Sequence, residues 1–256
     1  MKITWYGTAT IAVEDENTKI IFDPFVRQNK KLRSTPVEGF TGFDAIFITH
    51  GHFDHLFSIP DIMNADRNVP VYCTKTPAAT LCKHKVNMDN VKVIEHGDTL
   101  QIGEFKITAY RAKHIVFDAK YILSVFMNCA IKLPVFISEI YHHINFPENE
   151  EILMYEIEHR GKRVLLSGSF GVVDGIEYPK KPDMFILAHG GSTKIEEVVT
   201  PFVDEIQPAS IMFTHFDDAF PPLTRYIDVE KVSRDFRKTH PDIKFIIPKE
   251  LVPFEL

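Results

Sequence analysis

Cysteine is too scarce in this chain to build a disulfide framework. There are three, Cys73, Cys82 and Cys129, and they form neither a CxxC pair nor a dense pattern. That implies a reducing, cytoplasmic setting. Long apolar runs are missing too. No stretch reaches the roughly 18 residues that span a bilayer. The opening MKITWYGTATIAVEDE has no apolar core of signal-peptide length before its first acidic residues. Basic charge is not in excess either. The formal net charge is −6, which argues against a general nucleic-acid binder, although a local basic patch is compatible with it. No linker rich in Gly, Ser or Pro and no short-period repeat interrupts the chain, so residues 1–256 read as one domain.

An apolar fraction of 45% is enough for a sizeable core. The first part reads as short strands: KITWYG, TIAVED, KIIFDPF, AIFITH and VPVYCT, mostly compact, β-branched and aromatic runs. KTPAATLCKHK follows as a helix with Pro77 near its start. VKVIEH, TLQIG and EFKITAYRAKH return to strand. After a long interruption, EILMYEIE and RVLLSGS form a hairpin around HRGKR, and DMFILAHGG and ASIMFTH are apolar runs that each carry a His at or near the end. Between them KIEEVVTPFVDEIQ places Ile195, Val198, Val199, Phe202 and Ile206 on one helical face. DVEKVSRDFRKTH is a second helix and KFIIP a closing strand. Strands in two groups, each followed by helices, predict two packed sheets with helices outside.

The stretch FITHGHFDHL, residues 47–56, then stands out. A buried-type strand stops at His50, and His50, His52, Asp54 and His55 follow within one tight turn, where a rigid sheet holds functional groups. Neutral imidazole and carboxylate suit Zn²⁺, and also Mn or Fe. A solvated His-rich turn is the bland alternative.

THGHFDH resembles the HxHxDH signature of the metallo-β-lactamase superfamily. The resemblance implies an α+β fold, a four-layer αββα sandwich with a metal site at one edge of its sheets. It implies that His50, His52 and a later His hold one metal, and Asp54, His55 and a final His a second. His114, which ends EFKITAYRAKH, and His215, which ends ASIMFTH, have the matching order and placement. Asp23 in KIIFDPF matches an aspartate that braces the ligand loop. The opening strands are similar to those of the small branch of sugar-phosphate-lactonase-like hydrolases.

The pattern breaks at one position. A bridging aspartate is expected after RVLLSG, and Gly168-Ser169 stands there. Five imidazoles and Asp54 bring one negative charge against the four positive charges of two Zn²⁺ ions. Asp174, Asp217 and Asp218 are the nearest carboxylates in sequence. The expectation is one ion held firmly by His50, His52 and His114, with the second site weaker.

The resulting expectation is a metal-dependent hydrolase in which metal-activated water attacks an ester, lactone, amide or phosphodiester of a small-molecule substrate, with Asp54 orienting the water, or taking its proton if the second metal is absent. A non-catalytic metal-binding or sensor protein on the same scaffold, and a nucleic-acid phosphodiesterase, are the competing readings. Residues 117–150, rich in Phe, Ile, Leu and Tyr, read as a cap over the metals or as a helical hairpin packing on itself or on a second copy in a homo-oligomer. His189, followed by Gly190-Gly191, ends a buried strand at the same edge as His215. It reads as a substrate contact, a support for the ligands, or a hydrogen-bonded core histidine. His84, His96, His159 and His240 read as surface or satisfied polar residues, and His142 and His143 as adjacent residues on opposite faces of any strand.

Overall fold

The structure is a computed structural model. It describes residues 1–115, 119–120, 123, 127, 141, 144–169, 171–189, 195–219, 221, 224 and 226–256. Most of the expected cap at 117–150, with Cys129, His142 and His143, lies outside these residues, as does the Gly190-Gly191 pair.

A strand whose successive side chains are all buried needs a layer on each face. In β3 (Lys19–Phe22), Ile20 and Phe22 enter one apolar core while Ile21 enters another; in β4 (Ala45–Phe47), Ala45 and Phe47 separate from Ile46 in the same way. The second of these cores lies under α1 (Phe53–Leu56), α2 (Ile59–Ala65) and α3 (Lys75–Lys83). The first faces a second sheet. Besides two short 3₁₀ turns at Val37–Phe40 and Met88–Asn90, the described residues also form β1 (Lys2–Gly7), β2 (Thr10–Glu14), β5 (Val71–Cys73), β6 (Val91–Val93), β7 (Thr99–Ile102), β8 (Phe105–Ala112), β9 (Ile152–His159) and β10 (Lys162–Ser167). They are followed by β11 (Met184–Ala188), α4 (Ile195–Ile206), β12 (Ser210–Thr214), α5 (Val229–Thr239), β13 (Lys244–Ile246) and β14 (Phe254–Glu255).

Two seven-stranded sheets result, ordered β14-β1-β2-β3-β4-β5-β6 and β13-β12-β11-β10-β9-β8-β7. With helices outside each, this is the expected α+β sandwich. Strands β3 to β6 run parallel, as do β10 to β13. In α4, Val199, Phe202 and Ile206 are buried as its spacing requires, and Val203 joins them. In α5, Asp228 caps the first turn by accepting from the Lys231 amide.

Residues 53–65, which carry no helical expectation, form α1 and α2. Their Leu56, Ile59, Ile62 and Met63 pack into the outer core, and that burial overrides the weak propensity of Asp54, His55, Ser58 and Asn64. β14 is also unforeseen: the chain end crosses back to pair with β1. At the end of the sandwich away from the His-rich turn, His159 Nε2 meets Asp15 Oδ2 at 3.0 Å, tying the β2–β3 turn to the β9–β10 turn. His159 is therefore buried and satisfied.

Candidate metal centre

The parallel strands end on one edge, and the expected ligands follow their C-terminal ends, where open sheets present functional groups. His50 stands three residues past β4, His114 two past β8, and His215 directly after β12. One ligand atom from each of His50, His52 and His114 lies within 4.8 Å of the others, and Asp54, His55 and His215 form a second such triad. The His50 and His55 rings, one from each triad, are 4.0 Å apart between centroids. Both sheets thus contribute to both triads.

A buried hydroxyl fixes how the turn is wired. Asp23 is fully buried and accepts from the Thr49 amide at 2.8 Å, from Thr49 Oγ1 at 2.7 Å and from His55 Nδ1 at 2.7 Å. Since Thr49 Oγ1 gives its one proton to Asp23, it accepts from His50 Nδ1–H at 3.0 Å. The lone pair of His50 is then on Nε2, which lies 3.1 Å from His52 Nδ1. His114 Nδ1 donates to the Ile115 carbonyl at 2.9 Å, so its other nitrogen is the acceptor. Two nitrogens on one tetrahedral Zn²⁺ sit about 3.3 Å apart. The donor set and its spacing therefore fit a divalent cation.

Electrostatics divide the two triads. Burial and the charges of neighbouring histidines push the His50 pKa far down, and burial lowers that of His114, so both stay neutral and ready to donate. Burial acts the same way on His55 and His215, but Asp23 and Asp54 outweigh it and raise both. Burial would raise Asp54; the His55 charge and the 2.6 Å hydrogen bond from His215 Nε2 hold it far below the carboxylate range instead.

Strained backbone accompanies these contacts. Asp23 and His215 are left-handed, at φ +47° and +60°, as is Thr8 at +49°. The His215 amide donates to the Thr8 carbonyl at 2.7 Å. Thr8 is itself held by Asp217 Oδ2, which accepts from its amide at 3.0 Å and from the buried Arg27 Nη1 at 3.0 Å. Arg27 also pairs with Glu250. Thr8, Arg27 and Thr49 are support residues that sequence reasoning does not reach, because their partners are far away in the chain or uncharged.

At the position of the expected bridging aspartate, the Ser169 hydroxyl is buried and accepts from the Ile115 amide at 3.1 Å. A Cβ on Gly168 would lie 2.1 Å from Thr49 Oγ1, so the strand end packs directly on the wired hydroxyl. Asp217 is committed to Thr8 and Arg27, Asp218 accepts from Thr224 Oγ1 at 2.9 Å, and Asp174 is exposed. Among the described residues none of the three joins a triad. His189 is buried at the end of β11; His84 and His96 are exposed, and His240 is partly so.

The Beta-lactamase superfamily domain matches residues 18–121, the span that holds β3, the His-rich turn and His114. Over that span the chain is similar to the Beta-lactamase superfamily. A UPF0173 metal-dependent hydrolase of Xanthobacter autotrophicus is 31% identical to this chain over 118 residues, which is 44% of this chain and 48% of the relative. The chain thus spans about half the length of the curated relatives it matches. Igni18, a metallo hydrolase from Ignicoccus hospitalis, shares the fold with a TM-score of 0.67 at 18% identity, covering 100% of this chain and 98% of that one. CmlA, a diiron β-hydroxylase from Streptomyces venezuelae, shares it with a TM-score of 0.64 at 13% identity, covering 100% of this chain and 54% of its own. The metallo-β-lactamase fold therefore hosts more than one chemistry, and function must be argued from the site.

Proposed function

We propose that this chain is a metal-dependent hydrolase of small-molecule esters, lactones, amides or phosphodiesters, with Zn²⁺ as its metal and Mn or Fe as substitutes. The observation that carries the reading is the meeting of two ligand triads, drawn from both sheets, at one edge. His50, His52 and His114 would hold one cation, and Asp54, His55 and His215 another. Such a cation supplies Lewis acidity, polarising a carbonyl or phosphoryl oxygen and making water nucleophilic near neutral pH.

The residues do the rest. Asp54 Oδ2, 2.6 Å from His215 Nε2, would share the second cation with that histidine and orient the attacking water; with the second cation absent it would take the water's proton instead. Asp23 and Thr49 keep His50 and His55 in the tautomers that donate a lone pair. The buried carboxylates Asp23 and Asp54 both touch His55, whereas His50, His52 and His114 are all imidazole. Charge therefore favours the Asp54 triad for the firmer ion, the reverse of the order expected from the sequence.

The 117–150 segment is proposed as a cap. Its return end is anchored beside the turn: Phe146 packs against Phe53 and Phe57, and the Pro147 carbonyl lies against Gly51. Cys73 and Cys82 are free thiols, in keeping with a cytoplasmic location, and among the described residues no helix is long and apolar enough to cross a membrane.

Turnover of a panel of lactones, thioesters and bis-p-nitrophenyl phosphate, with and without added Zn²⁺ or Mn²⁺, tests the activity. Metal analysis of His114→Ala and His215→Ala tests the order of occupancy; loss of the tight equivalent in His114→Ala alone would reverse it. Tight metal with no turnover on any member favours the sensor reading that Ser169 motivates.

A further inference from the structure

The second sheet ends β10, β11 and β12 side by side in Ser169, His189 and His215. Two of these already have work: Ser169 accepts from Ile115, and His215 meets Asp54. His189 lies between them in strand order. Ala188 pairs with Thr214, and the His189 amide donates to the Thr214 carbonyl at 2.7 Å, so residues 189 and 215 leave the sheet together.

The residue is only 2% exposed, and its ring stands edge-on to Phe213 at 5.2 Å. Neither Nδ1 nor Nε2 has a hydrogen-bond partner among the described residues. Burial drives its pKa to about 4, so at neutral pH the ring carries one N–H and one lone pair, both unmet. Nearly all buried polar groups in proteins are paired. A phenylalanine or leucine would fill this apolar place without that penalty. The ring edge is therefore left for a partner that the described residues do not supply.

We propose that His189 is a substrate-contacting residue, its imidazole pairing with a group on the substrate that both donates and accepts hydrogen bonds, as a hydroxyl next to the scissile carbonyl does. The inference rests on the hydrolase reading above and names the substrate class: hydroxylated esters or lactones in preference to their deoxy counterparts.

The test compares α-hydroxy-γ-butyrolactone with γ-butyrolactone in metal-loaded wild type, His189→Phe and His189→Gln. Wild type should favour the hydroxylated lactone by about tenfold in kcat/KM, the usual value of one hydrogen bond. His189→Phe should lose that preference mainly through KM, keep its full metal content, and melt no lower than wild type. His189→Gln, which keeps a donor and an acceptor, should recover part of the preference. A His189→Phe protein that melts lower and retains the preference would overturn the proposal and mark His189 as a core residue served by a buried water. If wild type opens neither lactone, imidazole ¹⁵N shifts decide the matter separately. Glycolate should move the His189 resonance and acetate should not; no movement with glycolate refutes the contact, whereas movement without turnover refutes only the hydrolase reading.

Discussion

Replacing Asp23 by Asn probes the wiring of the centre with little else changed. The side chain keeps its size, and Asn tolerates the left-handed φ of +47° as well as Asp does. What changes is that three donors, the Thr49 amide, the Thr49 hydroxyl and His55 Nδ1–H, converge on a group that now has one acceptor oxygen and one donor nitrogen. Hydrogen bonds to a charged group contribute about 1.5–3 kcal/mol each. The amide oxygen keeps one or two of them, so the folded state should lose about 2–4 kcal/mol. The effect on metal follows from the tautomer. An amide N–H facing His55 Nδ1 favours a ring that is protonated on Nε2, and that nitrogen then has no lone pair for a cation. Loss of such a supporting bond weakens metal binding by about 10–100-fold. Urea unfolding of the metal-free protein reads the first quantity, and competition with a chelator of known affinity reads the second. An Asp23→Asn protein that binds Zn²⁺ as tightly as wild type would show that Asp23 does not set the His55 tautomer.

Further outcomes follow from the same contacts. Gly168→Ala places a methyl 2.1 Å from Thr49 Oγ1 and should cost about 1–3 kcal/mol in urea unfolding, together with tight metal binding; unchanged binding would mean that Thr49 can move freely. Ser169→Asp can keep the bond from the Ile115 amide while adding a negative charge, and should tighten the weaker of the two metal equivalents by about tenfold in calorimetric titration; an unaltered isotherm refutes the charge argument. The pH dependence of stability should change in His189→Phe. The folded imidazole has a pKa of about 4 against 6.5 unfolded, so below pH 6.5 the unfolded chain takes up a proton that the folded chain refuses, and stability falls toward pH 4. Removing the ring removes that loss. The stability of the variant relative to wild type should rise by about 2 kcal/mol between pH 7 and pH 5; a constant difference would refute it.

The strands and their closing histidines were legible because each signal is local. AIFITH and ASIMFTH each pair a buried run, and EFKITAYRAKH a half-buried one, with a ligand-type residue at its end, and the resemblance ordered them into triads. Asp23 came from the resemblance as well. Thr49 did not, since a threonine beside a histidine carries no mark until three partners are seen around its hydroxyl. Arg27 was invisible for another reason: its partners Asp217 and Glu250 lie about two hundred residues away, and composition counts it as one more surface cation. The helices at 53–65 were hidden by their polar residues, because their stability comes from what Leu56, Ile59 and Ile62 cover rather than from intrinsic propensity. The family match ends at residue 121, so Ser169 and His215 fall where only strand grammar and the broader resemblance could find them.

The drawing of ligands from both sheets has a mechanical side. Cations held by the two triads, one joining His50 to His114 and the other His55 to His215, would rivet one sheet to the other, so their binding energy would also clamp the sandwich shut. Chelation should then loosen the whole seam, exposing backbone of β4 and β9 where Tyr155 and Leu153 bridge to Ile48 and Thr49, rather than fraying a single loop.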